Sequence, residues 1–387
     1  MLDRNKVISQ ISALIEKIFP DLKDQNYLAQ KKLQEIAQDS DFLLRVKNSN
    51  SSFLVPFWDG NLLDSFRVNS NLKEYSVLAV DGSQIYPDRH VSGANCFLIN
   101  SGGCFIDYHR LFSKTERVKL FSYPQVFLIQ DIIDYDEKIL FSRDLVDLKR
   151  EELELMFLHQ KAIEYKDKNP VCFVDGSLIF WFLEGKQFEV KRHFLKSYLS
   201  CLDKFYKNEI LLCGYISFPK SKEIINLIKL GLCKFDYADC ISCHSKYHDF
   251  PCKAVDALVD TQIVRSFLKT FERSTIFYSN SKIVKEYPDH LKPCFFYFNI
   301  GEEIVRIETL KWIVQNRKYL DLICDTVLDQ SLKGRGYPVV LYESHEQAVV
   351  KGPDREFFYH LIQKIGIDSK KRFFVSQKNL KKRRIGI

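Results

Sequence analysis

The chain has 387 residues, 46% of them hydrophobic, which suits one large domain with additions or two modest ones around a sizeable core. No stretch reaches the roughly 18 apolar residues of a membrane span, and the N-terminus lacks the layout of a signal peptide, so a cytoplasmic protein is expected. The net charge of +7 is placed unevenly: from Asp368 to Ile387 the chain carries eight cations against one carboxylate, so everything before that tail is neutral.

Taken in chain order, residues 1 to about 70 read as a helical segment. Ile8, Ile11, Leu14, Ile15 and Ile18 recur at helical spacing among charges, a stripe that either docks a partner or packs on the chain's own core. From Tyr75 the texture turns to β. SVLAV, ANCFLIN and GCFIDYH are bounded by Gly, Asn or Asp and predict three closely spaced strands in an antiparallel meander. A Leu-, Glu- and Lys-rich helix over about 143–166 leads into VCFVD, an apolar run typical of a strand buried on both faces. A helix over about 190–207, the strand EILLCGYIS and the helix SKEIINLIKLGL follow. TIFYS and CFFYFNI read as strands, ETLKWIVQNRKYLDLICDTVLDQSL as a helix, and GYPVVLYESHEQAVV as a strand running into a helix. Antiparallel strands followed by alternating α and β predict an α/β fold of RNase H-like order: a mixed sheet flanked by helices, with the helical N-terminus and a basic C-terminal tail added.

The words VLAVDGS and VCFVDGS place the same Asp-Gly-Ser step after two strand-like runs, at Asp81 and Asp175. The carboxyl ends of strands are where α/β sheets gather ligands, and a following glycine admits a turn or a close approach. Two carboxylates held together repel unless a cation lies between them, and hard oxygen donors suit Mg²⁺ or Mn²⁺. Such ions serve in-line phosphoryl displacement. Asp-Gly-Ser is also an ordinary turn, but two copies after two buried-type strands are harder to assign to turns alone.

At this point the sequence resembles the NurA family of DNA-repair nucleases. The matching words are VDGSQIYPDRH (80–90), VDGSL (174–178), GYISFPKS (214–221), ERSTIFYSNS (272–281), FFYFNIGEEIVRIE (295–308) and GYPVVLYESHEQAVV (336–350). They place a NurA-like domain over residues 71–367, between the N-terminal segment and the 368–387 tail. The resemblance implies a manganese- or magnesium-dependent nuclease acting on DNA ends and single strands as a dimer, with a HerA-like hexameric ATPase as partner. It implies Asp81 and Asp175 as metal-binding aspartates, and His345 in the ESHEQA word as the histidine near the scissile phosphate. It also implies a glutamate on the helix before the second aspartate. Glu151, Glu152 and Glu154 are available in KREELELMF. Glu154 has Leu158 and Ala162 at +4 and +8, an inward-facing register, and Glu151 shares its face.

His345, read as opening a helix after the strand PVVLY, suits metal binding or proton donation to a leaving oxygen, and Glu343 would point the same way if the strand continued. Arg273, Lys282, Lys220 and Lys222 flank strands and are candidate phosphate contacts. Cations so placed are more often plain surface charges. Cys240, Cys243, His248 and Cys252 have spacing for structural zinc or form a Cys-rich loop without metal; a zinc-stabilised interaction protein is one competing reading. The other is a catalytically inactive DNA-end-binding protein of the same fold. No P-loop word occurs, so ATP-driven motion would come from a partner.

The tail, with Lys381, Lys382, Arg383 and Arg384 at its end, suits a polyanion or a solubilising end. Deleting residues 370–387 should flatten the salt dependence of DNA binding, measured as log Kd against log salt, and leave turnover at saturating DNA nearly intact. An unchanged slope rejects a phosphate-binding tail.

Overall fold

The computed structural model describes residues 2–70, 72–87, 91, 92, 95–109, 117–132, 143–246, 250–370, 374 and 375. The fold is α/β, as expected. Its spine is built from seven strands: β1 (Ser76–Ile85), β2 (Cys96–Asp107), β3 (Val118–Leu128), β4 (Val171–Asp175), β5 (Leu212–Ile216), β6 (Pro293–Asn299) and β7 (Ile304–Leu310). Their order across the sheet is β3-β2-β1-β4-β5-β7-β6, continued past β6 by short strands that include Phe57–Trp58 and Phe277–Tyr278. β1, β2 and β3 pair antiparallel, β1–β4–β5 pair parallel, and β7 returns antiparallel on β5.

The parallel strands are short and apolar because both of their faces are covered. Val77, Leu78, Ala79, Val171, Cys172, Phe173, Leu212 and Cys213 are all buried. Before the sheet come α1 (Arg4–Ala13) and α2 (Lys23–Gln38). The sheet is flanked by α3 (Arg143–Glu164), α4 (Phe188–Lys207), α5 (Glu223–Gly231), α6 (Arg317–Lys333) and α7 (Val339–Ala348), and α8 (Gly352–Asp368) follows with Phe358 as its one buried side chain among the described residues. On α3, Leu148, Leu155, Leu158 and Ala162 form the inward stripe. A second apolar cluster joins Ala29, Leu33 and Ile36 of α2 to Ile224, Ile225 and Ile228 of α5. The expected N-terminal helical segment therefore packs against the far half of the sheet and contributes Phe57–Trp58 to it. The stripe of Ile8, Ile11, Leu14, Ile15 and Ile18 is different. All five are exposed, so it does not pack on the core.

Several local expectations are corrected. ANCFLIN and GCFIDYH form one long strand, β2, because Gly102 and Gly103 continue the ladder instead of turning it. The third strand of the meander is VKLFSYPQVFL, whose Pro124 is tolerated because β3 lies at the sheet edge. IVRIETL is a strand, β7, and the helix expected from Glu308 starts only at Lys311 and resumes at Arg317. PVVLY is not a strand. Val339–Ala348 is helical throughout, so His345 lies in the last turn of α7, and Glu343, two residues away, faces elsewhere on the helix.

α7 packs along β1 and β2, and at one contact leaves no room for a side chain. Gly102 pairs with Asp81, and a Cβ on Gly102 would overlap the backbone of Gln347 and Ala348. Around that contact, Asn100 Nδ2 donates to the Gln347 and Ala348 carbonyls at 3.1 and 2.9 Å, and the Ser83 hydroxyl donates to Ala348 O at 2.5 Å. These bonds satisfy carbonyls that the helix end would otherwise leave unpaired. Gly102→Ala should lower stability by about 1–3 kcal/mol through overpacking, read as a drop in Tm. Gly352→Ala, where a Cβ meets nothing within 4 Å, should leave Tm nearly unchanged.

Candidate active site

The two Asp-Gly-Ser steps do different jobs. β1 does not stop at Asp81: the strand runs on to Ile85, paired with β2 throughout. β4 ends at Asp175, and Gly176, with φ +138°, turns the chain away. The parallel register pairs Val77 with Val171, Leu78 with Cys172 and Ala79 with Phe173. Two residues further, Asp81 and Asp175 stand level on neighbouring strands, on one face of the sheet. Beyond that level β1 has no β4 partner, which leaves a notch at the carboxyl edge.

Glycine is needed at position 82 for approach, not for a turn. A Cβ there would sit 2.9 Å from Cγ of both Arg150 and Glu154. Side chains alternate along β1, so Asp81 faces α7 while Gly82 faces α3. From α7, His345 Nδ1 lies 2.7 Å from Asp81 Oδ2, and the other Asp81 oxygen accepts from the Gly82 amide at 2.7 Å. From α3, Arg150 donates to Glu154 at 2.5 Å and to Gly82 O at 3.4 Å, with Glu151 at 3.6 Å from the same guanidinium. The helix thus turns Glu154 and Glu151 toward the notch. Glu152 faces away, is buried, and pairs with Lys149 at 2.6 Å.

The electrostatics are those of crowded carboxylates. Burial pushes the Glu154 carboxyl up to about 8; Arg150 opposes this, and Asp81 and Glu151 add to it. Burial likewise raises Glu151 to about 7 against the pull of Arg150, with Asp147 adding to the rise. Asp175 is exposed at the end of β4, yet partial desolvation by the surrounding chain raises it; a hydrogen bond from Tyr337 holds it back, Asp81 raises it again and His345 lowers it. The Arg150 guanidinium stands among Glu154, Glu151, Asp81 and Asp147. Sequence reasoning missed Arg150 and Tyr337. The signal for Arg150 was its i,i+4 spacing to Glu154, and Tyr337 lay in the GYPVV word.

The serines of both steps are structural. Ser83 bonds the end of α7. Ser177 donates to Glu308 at 2.8 Å and accepts from Trp181 Nε1 at 3.1 Å. Glu308 in turn takes Arg306 Nε at 2.8 Å, and Arg306 also meets Glu223, a buried charged group that ties β4 to β7 and α5. No three Cys, His, Asp or Glu side chains among the described residues are placed to hold a metal ion together.

Other candidates fall elsewhere. Arg273 is only 4% exposed; its guanidinium donates to Ser274 O at 2.9 Å and stacks over Phe66 and Phe296, so it cannot meet a phosphate at the surface. Lys220 and Lys282 are exposed, and Lys222 donates to Asp256 O at 2.6 Å. Among the described residues Cys240, Cys243 and Cys252 make no metal-holding group; Cys240 and Cys243 lie on the 240–246 helix and Cys252 on the 251–255 turn, where burial and then the neighbouring Cys240 raise its thiol. His248 lies outside the described residues, as do Lys381, Lys382, Arg383 and Arg384. No helix among the described residues is long and apolar enough to cross a membrane.

The family described as the NurA domain matches residues 75–350, which contain both Asp-Gly-Ser steps, α3 and α7. The chain belongs to the NurA family. NurA is a nuclease family, so the carboxylate notch is the candidate active site of a nuclease fold. No curated protein matches the chain.

The raised Glu154 carboxyl sets a pH prediction. Its folded value of about 8 lies above its unfolded value, so its contribution to stability is complete below about pH 4.5 and is lost as pH rises through 8. Glu154→Gln, the neutral isostere, removes that loss. Without divalent ions its Tm should match the parent's near pH 5 and exceed it near pH 9. A parent-like pH profile rejects the assigned environment.

Proposed function

We propose that the chain is a divalent-metal-dependent DNA nuclease whose centre is the notch between β1 and β4. The observation that carries this reading is the level placement of Asp81 and Asp175, with Glu154 and Glu151 turned toward them from α3 beside the Arg150 guanidinium. The donor chemistry fits a hard cation: crowded carboxylates whose protonation is favoured by desolvation first and by mutual repulsion second are the groups a Mg²⁺ or Mn²⁺ ion relieves. Asp81 and Asp175 would hold it. When bound, it supplies positive charge against the developing charge on the phosphate and acidifies water for attack.

The chain's own residues do the rest. Asp81 fixes His345 through Nδ1, which leaves Nε2 as the nitrogen to hand a proton to the leaving oxygen. Arg150 holds Glu154 at the notch, where its ionised form can take a proton from attacking water. The resemblance further supports action on single strands and DNA ends in break repair, as a dimer working with a HerA-like ATPase. A neutral body holds DNA weakly, and a translocase would deliver strands to the notch. The solvent-facing stripe Ile8–Ile18 is where such a partner or second copy is expected.

The test is cleavage of a labelled single strand with a Mn²⁺ and Mg²⁺ series. The parent should degrade it only with metal, and Asp81→Asn and Asp175→Asn should each lose activity by about two or more orders of magnitude while keeping the parent's metal-free Tm within a few degrees. A parent that binds single strands without cutting them under any metal favours the inactive DNA-end-binding protein.

A further inference from the structure

Phe218 sits where a folded chain seldom leaves a large apolar ring. It is 81% exposed, and its φ is +45°. A bulky side chain in left-handed backbone costs stability and persists only where its surroundings enforce it. Here Glu303 enforces it, accepting from the Ser217 hydroxyl at 2.9 Å and from the Phe218 amide at 3.2 Å. Pro219, buried, stiffens the other flank. The loop after β5 therefore holds strain and a carboxylate clamp while its ring contributes almost nothing to the core.

Its position gives the ring a use. Tyr215 pairs with Asp175 across neighbouring strands, and Phe218 follows three residues later, off the same carboxyl edge of the sheet. The ring lines a groove of about 550 Å³ together with Tyr27, Lys23, Gln30 and Arg265. Tyr27 is itself 72% exposed, Arg265 is exposed, and Lys220 projects from the same loop. Exposed aromatic rings interleaved with cations are what holds an unpaired nucleic-acid strand: every base has a face that stacks, and the cations follow the phosphates.

We propose that Phe218 is a base-stacking platform, and that its groove seats an unpaired nucleotide of the strand presented to the carboxylate notch. The inference rests on the nuclease reading and deepens it. Bases in a duplex are already stacked on one another and offer no free face, so this contact favours single strands over blunt duplex.

The experiment measures binding by fluorescence anisotropy in EDTA, where no cleavage occurs, using an oligothymidylate of about 12 nucleotides and a blunt duplex. Phe218→Ala should weaken single-strand binding about tenfold and leave duplex binding unchanged. Phe218→Gly, which relieves the backbone, should bind single strands as weakly as the alanine variant while its Tm equals or exceeds the parent's, separating stacking from folding. Phe218→Trp should keep the affinity, with its added fluorescence quenched by the oligonucleotide. If the parent binds single strands and Phe218→Ala binds them equally well, or loses duplex binding in the same proportion, the platform is overturned and the nuclease reading stands. If the parent binds no single strand at all, both fall.

Discussion

The site depends on a close approach of backbones at Gly102. One strand over from Asp81, β2 has no side chain, and the last turn of α7 rests on that bare stretch. Asn100 and Ser83 hold the helix end there by its carbonyls. His345 is carried onto Asp81 as a consequence. On the other face, Gly82 lets α3 come in with Arg150 and Glu154. Two glycines, one on each of two paired strands, thus set the two helices whose side chains meet around a single aspartate.

What is gathered there opposes folding. Burial shifts Glu154 and Glu151 toward the protonated form, partial desolvation shifts the exposed Asp175 the same way, and Asp81 adds repulsion to Glu154 and Asp175. A fold that tolerates this must recover stability elsewhere. The continuous burial of β6 and β7 and the hydrogen-bonded Arg306–Glu308–Ser177 chain are where the frame is firm. The same crowding is what would make a divalent ion a natural occupant, because opposite charge relieves it without moving the chain.

Much of this was legible in the sequence, for identifiable reasons. Asp81 and Asp175 stood out because the same word followed two apolar runs. The inward register of Glu154 was readable from Leu158 and Ala162, both buried on α3. Other features were not local. PVVLY is β-branched and apolar, so it reads as a strand; in the fold it is a helix whose Val340 and Leu341 are buried in the core. Gly102–Gly103 reads as a turn yet continues a ladder, since glycine's freedom does not say which way it is used. Arg273 reads as a surface cation because a charge pattern carries no depth, and two aromatic faces bury it. Phe218 gave no signal at all: only backbone geometry distinguishes a ring held out from a ring left over.

The central claim is that Asp81 and Asp175 form one cation site. Calorimetric titration of Mn²⁺ into metal-free protein tests it most directly, because it needs neither DNA nor turnover. Saturable binding in the parent, lost in both Asp81→Asn and Asp175→Asn with the fold intact by circular dichroism, is the predicted result. A parent that takes up no Mn²⁺ or Mg²⁺, or variants that bind as the parent does, would contradict it.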